Sequence, residues 1–308
     1  MVLHKVSVII SVYSKDRLEY LLDCLDSLRR QSFKPFEVIV VLDPLRDIVD
    51  FYKSRLDSDV KVIVSNGFGL SNARNAGVKN AEGDVVAFID DDAVADRDWL
   101  KNLMKNYWSP YVAGVGGSIR PLWENGRPIW FPEELDWVVG CSYKGLPEGK
   151  AFVRNIIGCN MSFQRWIFEK FGYFRVDVGR FGKLLLGSEE TELCIRVQSE
   201  NPMLKFVYDP SAVVYHRVSH ERASFKHLLR RSWGEGLSKA LITNSRWNPS
   251  TTLSTESWYL KYMARVAIPS RLKRIHKMEN ILHIYSMLIS SFTVGVGFLV
   301  GKIVRLLR

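Results

Sequence analysis

Cysteine is scarce in this chain: Cys24, Cys141, Cys159 and Cys194 are the only four in 308 residues, and no two form a CxxC pair. That excludes a zinc ribbon and a disulfide-stapled scaffold, and it points to reduced thiols in a cytosol-facing protein. A secretory signal pattern is missing as well, because His4 and Lys5 lead straight into the first apolar run. Internal repeats and low-complexity tracts are absent, so one main domain (residues 1–222) with a C-terminal appendage is expected. Acidic residues are the minority charge, 33 against 43 basic, for a formal +10. This balance suits an anionic membrane surface and phosphate-bearing substrates. With no basic stripe interleaved with stacking aromatics, a nucleic-acid partner is not expected.

What is present begins with alternation. Val6 to Val12 is a short β-branched apolar run, and Leu18, Leu21, Leu22, Leu25 and Leu28 then recur at helical spacing. Val38 to Leu42, Val60 to Val64 and Val85 to Ile89 repeat the strand signal, separated by stretches long enough for crossover helices. The first part of the chain therefore reads as an α/β fold with a mostly parallel sheet. Ligands of such sheets sit at the carboxyl ends of the strands. There the sequence places Tyr13, Ser14, Asp16 and Arg17, then Asp43, then Asp90-Asp91-Asp92.

The aspartate run carries the most chemistry. Adjacent carboxylates repel and are rarely buried unpaired, so three at the tip of an apolar strand suit Mg²⁺ or Mn²⁺ bridging a substrate diphosphate. A solvated acidic turn capping the next helix is the bland alternative. Asp43 before Pro44 also fits a plain turn, Arg74 a surface ion pair, and His216 a structural histidine.

These segments, namely Val8 to Ser14, Glu37 to Asp43, Gly69 to Gly77 and Asp90 to Asp92, resemble family 2 glycosyltransferases of the GT-A fold. The resemblance continues through Gly158-Cys159-Asn160, Ser188 to Leu193 with Arg196, and Asp209-Pro210 leading to Tyr215-His216. It implies a Rossmann-like central sheet with flanking helices. It also implies inverting, metal-dependent transfer of one sugar from a nucleoside-diphosphate sugar. On that resemblance Tyr13 and Asp43 contact the nucleoside and Arg74 sits beside the nucleotide. Asp90 and Asp92 form the DxD pair, Asp92 on the metal and Asp90 on metal or ribose, with Asp91 a further donor-side carboxylate. His216 falls where some such enzymes supply a ligand to metal or diphosphate, and Asn160 and Glu189 fall near the acceptor. Glu190 takes the place of the family's aspartate base, a departure that lengthens the arm by one C–C bond and matters for in-line attack. Ser188 followed by Glu189, Glu190 and Glu192 reads equally as a helix start whose acids match the dipole. A lipid phosphate acceptor, already ionised, would need no strong base.

The appendage divides into residues 223–279 and 280–304. Phe225, Leu228, Leu229, Arg230, Arg231, Trp233, Gly236 and Lys239 make a basic amphipathic helix. It is similar to the Arg-rich, Trp/Tyr-Gly-Glu-Gly helix of microbial transferases acting on lipid-linked saccharides, which puts Arg230, Arg231 and Trp233 near an acceptor phosphate. Lacking the glutamine of QxxRW and several spans, it implies single addition and not polymerisation. From Asn280 to Gly301 no residue is formally charged, and the run approaches the ~20 residues a bilayer core needs. Arg271, Lys273, Arg274 and Lys277 precede it, and Lys302, Arg305 and Arg308 follow. A transmembrane helix is expected, with an interfacial or buried helix open because His283, Ser286, Ser290, Ser291 and Thr293 dilute the apolarity. The aromatics of residues 121–153 fit a loop over a sugar, an interfacial contact or plain packing. Together these features point to a membrane-associated enzyme acting on a polyprenyl or dolichyl phosphate or its saccharide. A soluble polysaccharide or protein acceptor, or a non-catalytic GT-A scaffold, are the alternatives.

Overall fold

The computed structural model describes residues 5–177, 187–243 and 252–306, so Arg308 and His4 lie outside the described residues. Two compact units are present. The first is drawn from Met1–Arg120, Pro147–Gly182 and Glu189–His216, the second from Pro121–Leu146, Lys183–Ser188 and Arg217–Arg308.

In the first unit β1 (Val6–Val12), β2 (Glu37–Leu42), β3 (Val60–Val64) and β4 (Val85–Ile89) are parallel, joined through α1 (Leu18–Arg29), α2 (Arg46–Lys53) and α3 (Leu70–Asn80). β4 is buried along its whole length, and nearly all of β1 is, as their unbroken apolar runs require of strands covered on both faces. Beyond β4 come β5 (Ala93–Ala95), α4 (Trp99–Met104), β6 (Val112–Trp123), β7 (Ala151–Val153), β8 (Asn160–Gln164), α5 (Trp166–Phe171), α6 (Glu189–Glu200) and β9 (Lys205–Val218). Among the described residues the sheet order is β3-β2-β1-β4-β8-β6-β9-β5, with β7 against β9. The β4–β8, β6–β8, β5–β9 and β7–β9 pairs are antiparallel, so the sheet is mixed, its parallel part confined to the first four strands.

Strand order reverses between β1 and β4, which opens a crevice at their carboxyl ends. Beneath it Phe88, Phe163, Phe168, Phe174 and Phe206 pack edge-on, ring centroids 5.2–6.3 Å apart, as a stiff apolar floor.

The second unit is helical: α7 (Phe225–Ile242), α8 (Ser254–Tyr262), a π turn over Met263–Ala267, α9 (Ile268–Leu272) and α10 (Met278–Leu306). Ser224 caps α7 by accepting the His227 N–H at 3.2 Å. Pro121–Leu146 belongs with these helices. In its 3₁₀ helix Glu133–Val139 the Glu134 carboxylate accepts from Arg271 Nη1 and Nη2, at 3.0 and 2.7 Å, and the Glu134 carbonyl accepts from the Tyr259 hydroxyl at 2.8 Å. The aromatics Trp123, Trp130 and Phe131 are packed among themselves and against Phe225.

α7 and α10 run parallel. Phe225 stacks on Tyr285, Ser232 meets Ser290 at 2.9 Å, and Gly301 lies against Ala240, so the pairs ascend together. A Cβ on Gly236 would stand 2.2 Å from the Val294 carbonyl oxygen and 2.7 Å from the Phe298 nitrogen, so glycine alone permits this approach.

Candidate active site

The loop after β1 forms a 3₁₀ turn, Lys15–Arg17, started by Ser14, whose hydroxyl accepts the Asp16 N–H. The turn aims Arg17 at the aspartate run. Its Nη1 donates to Asp92 at 2.9 Å, its Nε lies 3.6 Å from Asp91, and its guanidinium covers the Tyr13 ring at 5.2 Å. Burial works against the Arg17 charge, but Asp91 and Asp92 outweigh it and raise the pKa further. Tyr13 itself stays 55% exposed. Asp43, at the end of β2, accepts the backbone N–H of Gly69 at the start of α3, yet burial lifts its carboxyl above the ordinary aspartate range.

α3 delivers Arg74 to the same crevice. The guanidinium is 3% exposed and lies 5.9 Å above the Phe88 and Phe174 rings. Nη1 donates to Glu189 at 2.8 Å, and Nη2 to the Gly158 carbonyl at 3.1 Å and to Asp90 at 3.5 Å. A Cβ on Gly158 would sit 3.0 Å from Nη2 and displace the guanidinium, which gives the Gly158-Cys159-Asn160 motif its glycine. Arg74 is thus a buried strut and not a surface ion pair.

Asn160 is fully buried and committed: it donates to the Ser118 and Ala212 carbonyls at 2.9 and 2.8 Å and accepts from Trp99 Nε1 at 2.7 Å. These bonds hold the start of β8, and with it Cys159, in place. His216 lies on β9 opposite Ala93 of β5, and its Nε2 is 3.2 Å from Asp92. Among the described residues, Asp90, Cys159 and His216 form a cluster whose ligand atoms all lie within 4.8 Å of one another. Oxygen, sulfur and nitrogen donors converging from three elements have the chemistry of a divalent-metal site.

α6 begins at Glu189, entered through Ser188 at φ 81°, a left-handed conformation that costs a non-glycine residue about 1–3 kcal/mol. Glu189 is buried on Arg74, whereas Glu190 is half-buried. The first unit therefore brings together Tyr13, Arg74, Asp90, Asp91, Asp92, Glu189 and His216, with Asp43 on the neighbouring strand end. Arg230, Arg231 and Trp233 belong to the second unit. There Arg231 pairs with Glu235 at 2.9 Å, and Lys239 bridges Glu235 and Glu256 at 3.0 and 2.9 Å, while Trp233 is partly exposed. Two residues escaped the sequence reading of the site. Arg17 was visible only as one more polar residue after β1, and Cys159 only as a reduced thiol inside a motif.

Residues 7–172 match Glycosyl transferase family 2. A glucosyl-dolichyl phosphate glucuronosyltransferase of Haloferax volcanii is 33% identical over 299 residues, 96% of this chain and 94% of that protein. The chain belongs to glycosyl transferase family 2 and is a glycosyltransferase. The succinoglycan biosynthesis protein ExoM of Rhizobium meliloti is 25% identical over 74% of this chain and 72% of its own length. In fold, the chain matches a mannosyltransferase of Pyrobaculum calidifontis, solved in complex with GDP-Man and Mn²⁺, with a TM-score of 0.61 at 16% identity over 96% of this chain and 87% of that one. The GT-A architecture is thereby established.

Proposed function

We propose that this enzyme transfers one sugar, with inversion, from a nucleoside-diphosphate sugar to a dolichyl- or polyprenyl-phosphate-linked acceptor, in a divalent-metal-dependent reaction. The observation that carries the acceptor is the near full-length relative whose name specifies a glucosyl-dolichyl phosphate substrate. The donor lies in the crevice at the β1/β4 switch point, where Tyr13 offers an exposed ring to the base and Asp43 an acceptor to nucleoside hydroxyl or N–H groups. Arg74, locked by Glu189 and Gly158, keeps a cationic wall beside the diphosphate. Asp90, Asp92 and His216 would hold the metal, Mn²⁺ or Mg²⁺, with Arg17 on Asp92 orienting the group. A bound divalent ion offsets the negative charge that grows on the leaving diphosphate. Glu190, at the start of α6, takes the proton of an acceptor hydroxyl, and Asn160 positions the β8 turn and does not touch the acceptor.

The membrane part of the reading rests on α10, a helix long and apolar enough to cross a bilayer. Ile281, Tyr285, Leu288, Phe292, Leu299 and Ile303 form its exposed stripe. α7 runs parallel beside it and exposes Lys226 and Arg230. A perpendicular α10 would carry those cations into the bilayer, at about 2.5–3.5 kcal/mol each near its centre. We therefore read the pair as lying in the interface, stripe down, with Lys273, Arg274 and Lys277 at the headgroups.

The deciding assay is nucleoside diphosphate release from a panel of nucleotide sugars with Mn²⁺, with and without dolichyl phosphate and its glucosyl form in detergent. Release stimulated by the lipid and abolished by EDTA is expected. Full turnover in excess EDTA would remove the metal, and stimulation only by soluble polysaccharide would remove the lipid acceptor.

A further inference from the structure

Oxygen-loving ions such as Mg²⁺ have no use for a thiol, yet one stands in the candidate metal site. The antiparallel β4–β8 ladder ends on the pair Ile89 and Asn160, and Asp90 and Cys159 are the residues next along from that pair. His216 completes the group from β9, and all three ligand atoms lie within 4.8 Å of one another. Cys159 is 4% and His216 2% exposed. Zinc bonds of ~2.0–2.3 Å in a tetrahedron place donor atoms roughly 3.5 Å apart, so closing on such an ion needs side-chain movements of about 1 Å. Sheet pairing fixes His216 and the adjoining Ile89 and Asn160, and the Asn160 hydrogen bonds fix the turn that carries Cys159.

We propose that Cys159 is a thiolate donor to this site, and that through it the site binds Zn²⁺, Cd²⁺ and Co²⁺ in preference to Mg²⁺ and Mn²⁺. The inference rests on the metal-site reading above for its location only. On binding, the Cys159 S–H bond breaks, an S–metal bond forms, and one proton passes to the buffer. Affinity of an N, O, S site rises from Mn²⁺ through Co²⁺ to Zn²⁺, and a thiolate steepens the preference for soft ions. An ion held tetrahedrally by Asp90, Cys159 and His216 keeps a single open position, whereas Mg²⁺ keeps several for diphosphate oxygens. Thiophilic ions therefore displace the working metal and inhibit transfer.

The test uses the full chain in detergent, stripped with chelator and desalted, with no sugar nucleotide or acceptor present. Titration with Co²⁺ should raise a thiolate-to-cobalt charge-transfer band in the near ultraviolet. Cys159→Ser, its fold checked by circular dichroism, should lose that band. Its Zn²⁺ affinity should fall by more than the ~10–100-fold typical of losing an outer-shell partner, while Mn²⁺ binding stays as it was. A band that survives in Cys159→Ser, arising from Cys24, Cys141 or Cys194, overturns the assignment. If that variant fails to fold, Cys159→Ala takes its place in the same titration, and absence of the band in the parent protein is equally fatal. Donor and acceptor play no part in the titration, so failure of Mn²⁺-dependent transfer leaves this result standing, and the reverse holds too.

Discussion

Glu189 and Glu190 are adjacent in sequence and opposite in expected role, and exchanging each separately tests the site most directly. Glu189 is 4% exposed and holds a guanidinium that is itself 3% exposed, at 2.8 Å. Removing one partner of a buried pair costs about 3–5 kcal/mol. Glu189→Ala should fall near the lower figure, because Asp90 remains 3.5 Å from Arg74 and the Gly158 carbonyl 3.1 Å. At roughly 2–4 °C per kcal/mol for a domain of this size, the melting temperature should drop by about 6–12 °C. Glu190 is half-buried, so Glu190→Gln should move stability by no more than about 0.5 kcal/mol. Its turnover on a hydroxyl acceptor should fall ~10²–10⁴-fold, and much less on a phosphate monoester, which brings no proton to remove. Thermal unfolding in detergent and initial rates on both acceptor types read the two effects apart. If Glu189→Ala melts with the parent, or Glu190→Gln turns over a hydroxyl acceptor at the parent rate, the division of labour is wrong.

Two further outcomes concern the second unit. Alanine at a helical glycine gains about 1 kcal/mol in propensity, so Gly295→Ala, with open space around it, should stabilise; Gly236→Ala meets α10 backbone at 2.2 Å and should destabilise, since overpacking costs about 1–3 kcal/mol. Equal melting shifts for the two would refute the close helix seam. Burial pushes the Asp136 carboxyl up from 3.8 to about 6 despite Arg127 at 2.7 Å, so the folded chain holds its proton more tightly than the unfolded chain between those values. Stability should therefore fall as pH rises from about 4 to about 6, by roughly 2–3 kcal/mol at about 1.4 kcal/mol per pH step, and Asp136→Asn should flatten that slope in melts taken from pH 4 to 7.

The parallel strands were legible because a strand buried on both faces must be apolar throughout, as Val6 to Val12 and Val85 to Ile89 are. The antiparallel half was not. β6 contains three glycines and β9 passes through Pro210, so neither shows a clean period, and their places follow from pairing across the sheet. The same limit governs the site. Asp43, Arg74 and the aspartates sit at strand ends or helix starts that local pattern announces, whereas the apposition of Cys159 and Asp90 depends on a β4–β8 register that no short window encodes. Arg17 was hidden for a simpler reason: its partners lie 74 and 75 residues away.

The appendage shows a different loss of information. Hydropathy averages around a helix, so Ser286 and Ser290 count against membrane contact and the glycines count as neutral. In the folded unit Ser286 and Ser290 are buried, Ser290 against Ser232 of α7, and Gly297 and Gly301 let α7 come close. Polar and small residues are thus withdrawn to the seam, and the face left outside, from Ile281 to Ile303, is more apolar than the average. The glycines serve both ends, since close backbone approach is how helices associate where no hydrophobic drive separates lipid from leucine. Cutting the chain after Lys277 would strip α7 of this partner and expose its small-residue face, so a truncated protein would report on helix packing before it reported on lipid. Charged substitutions at Leu288 or Phe292, which leave the seam intact, address the lipid face alone.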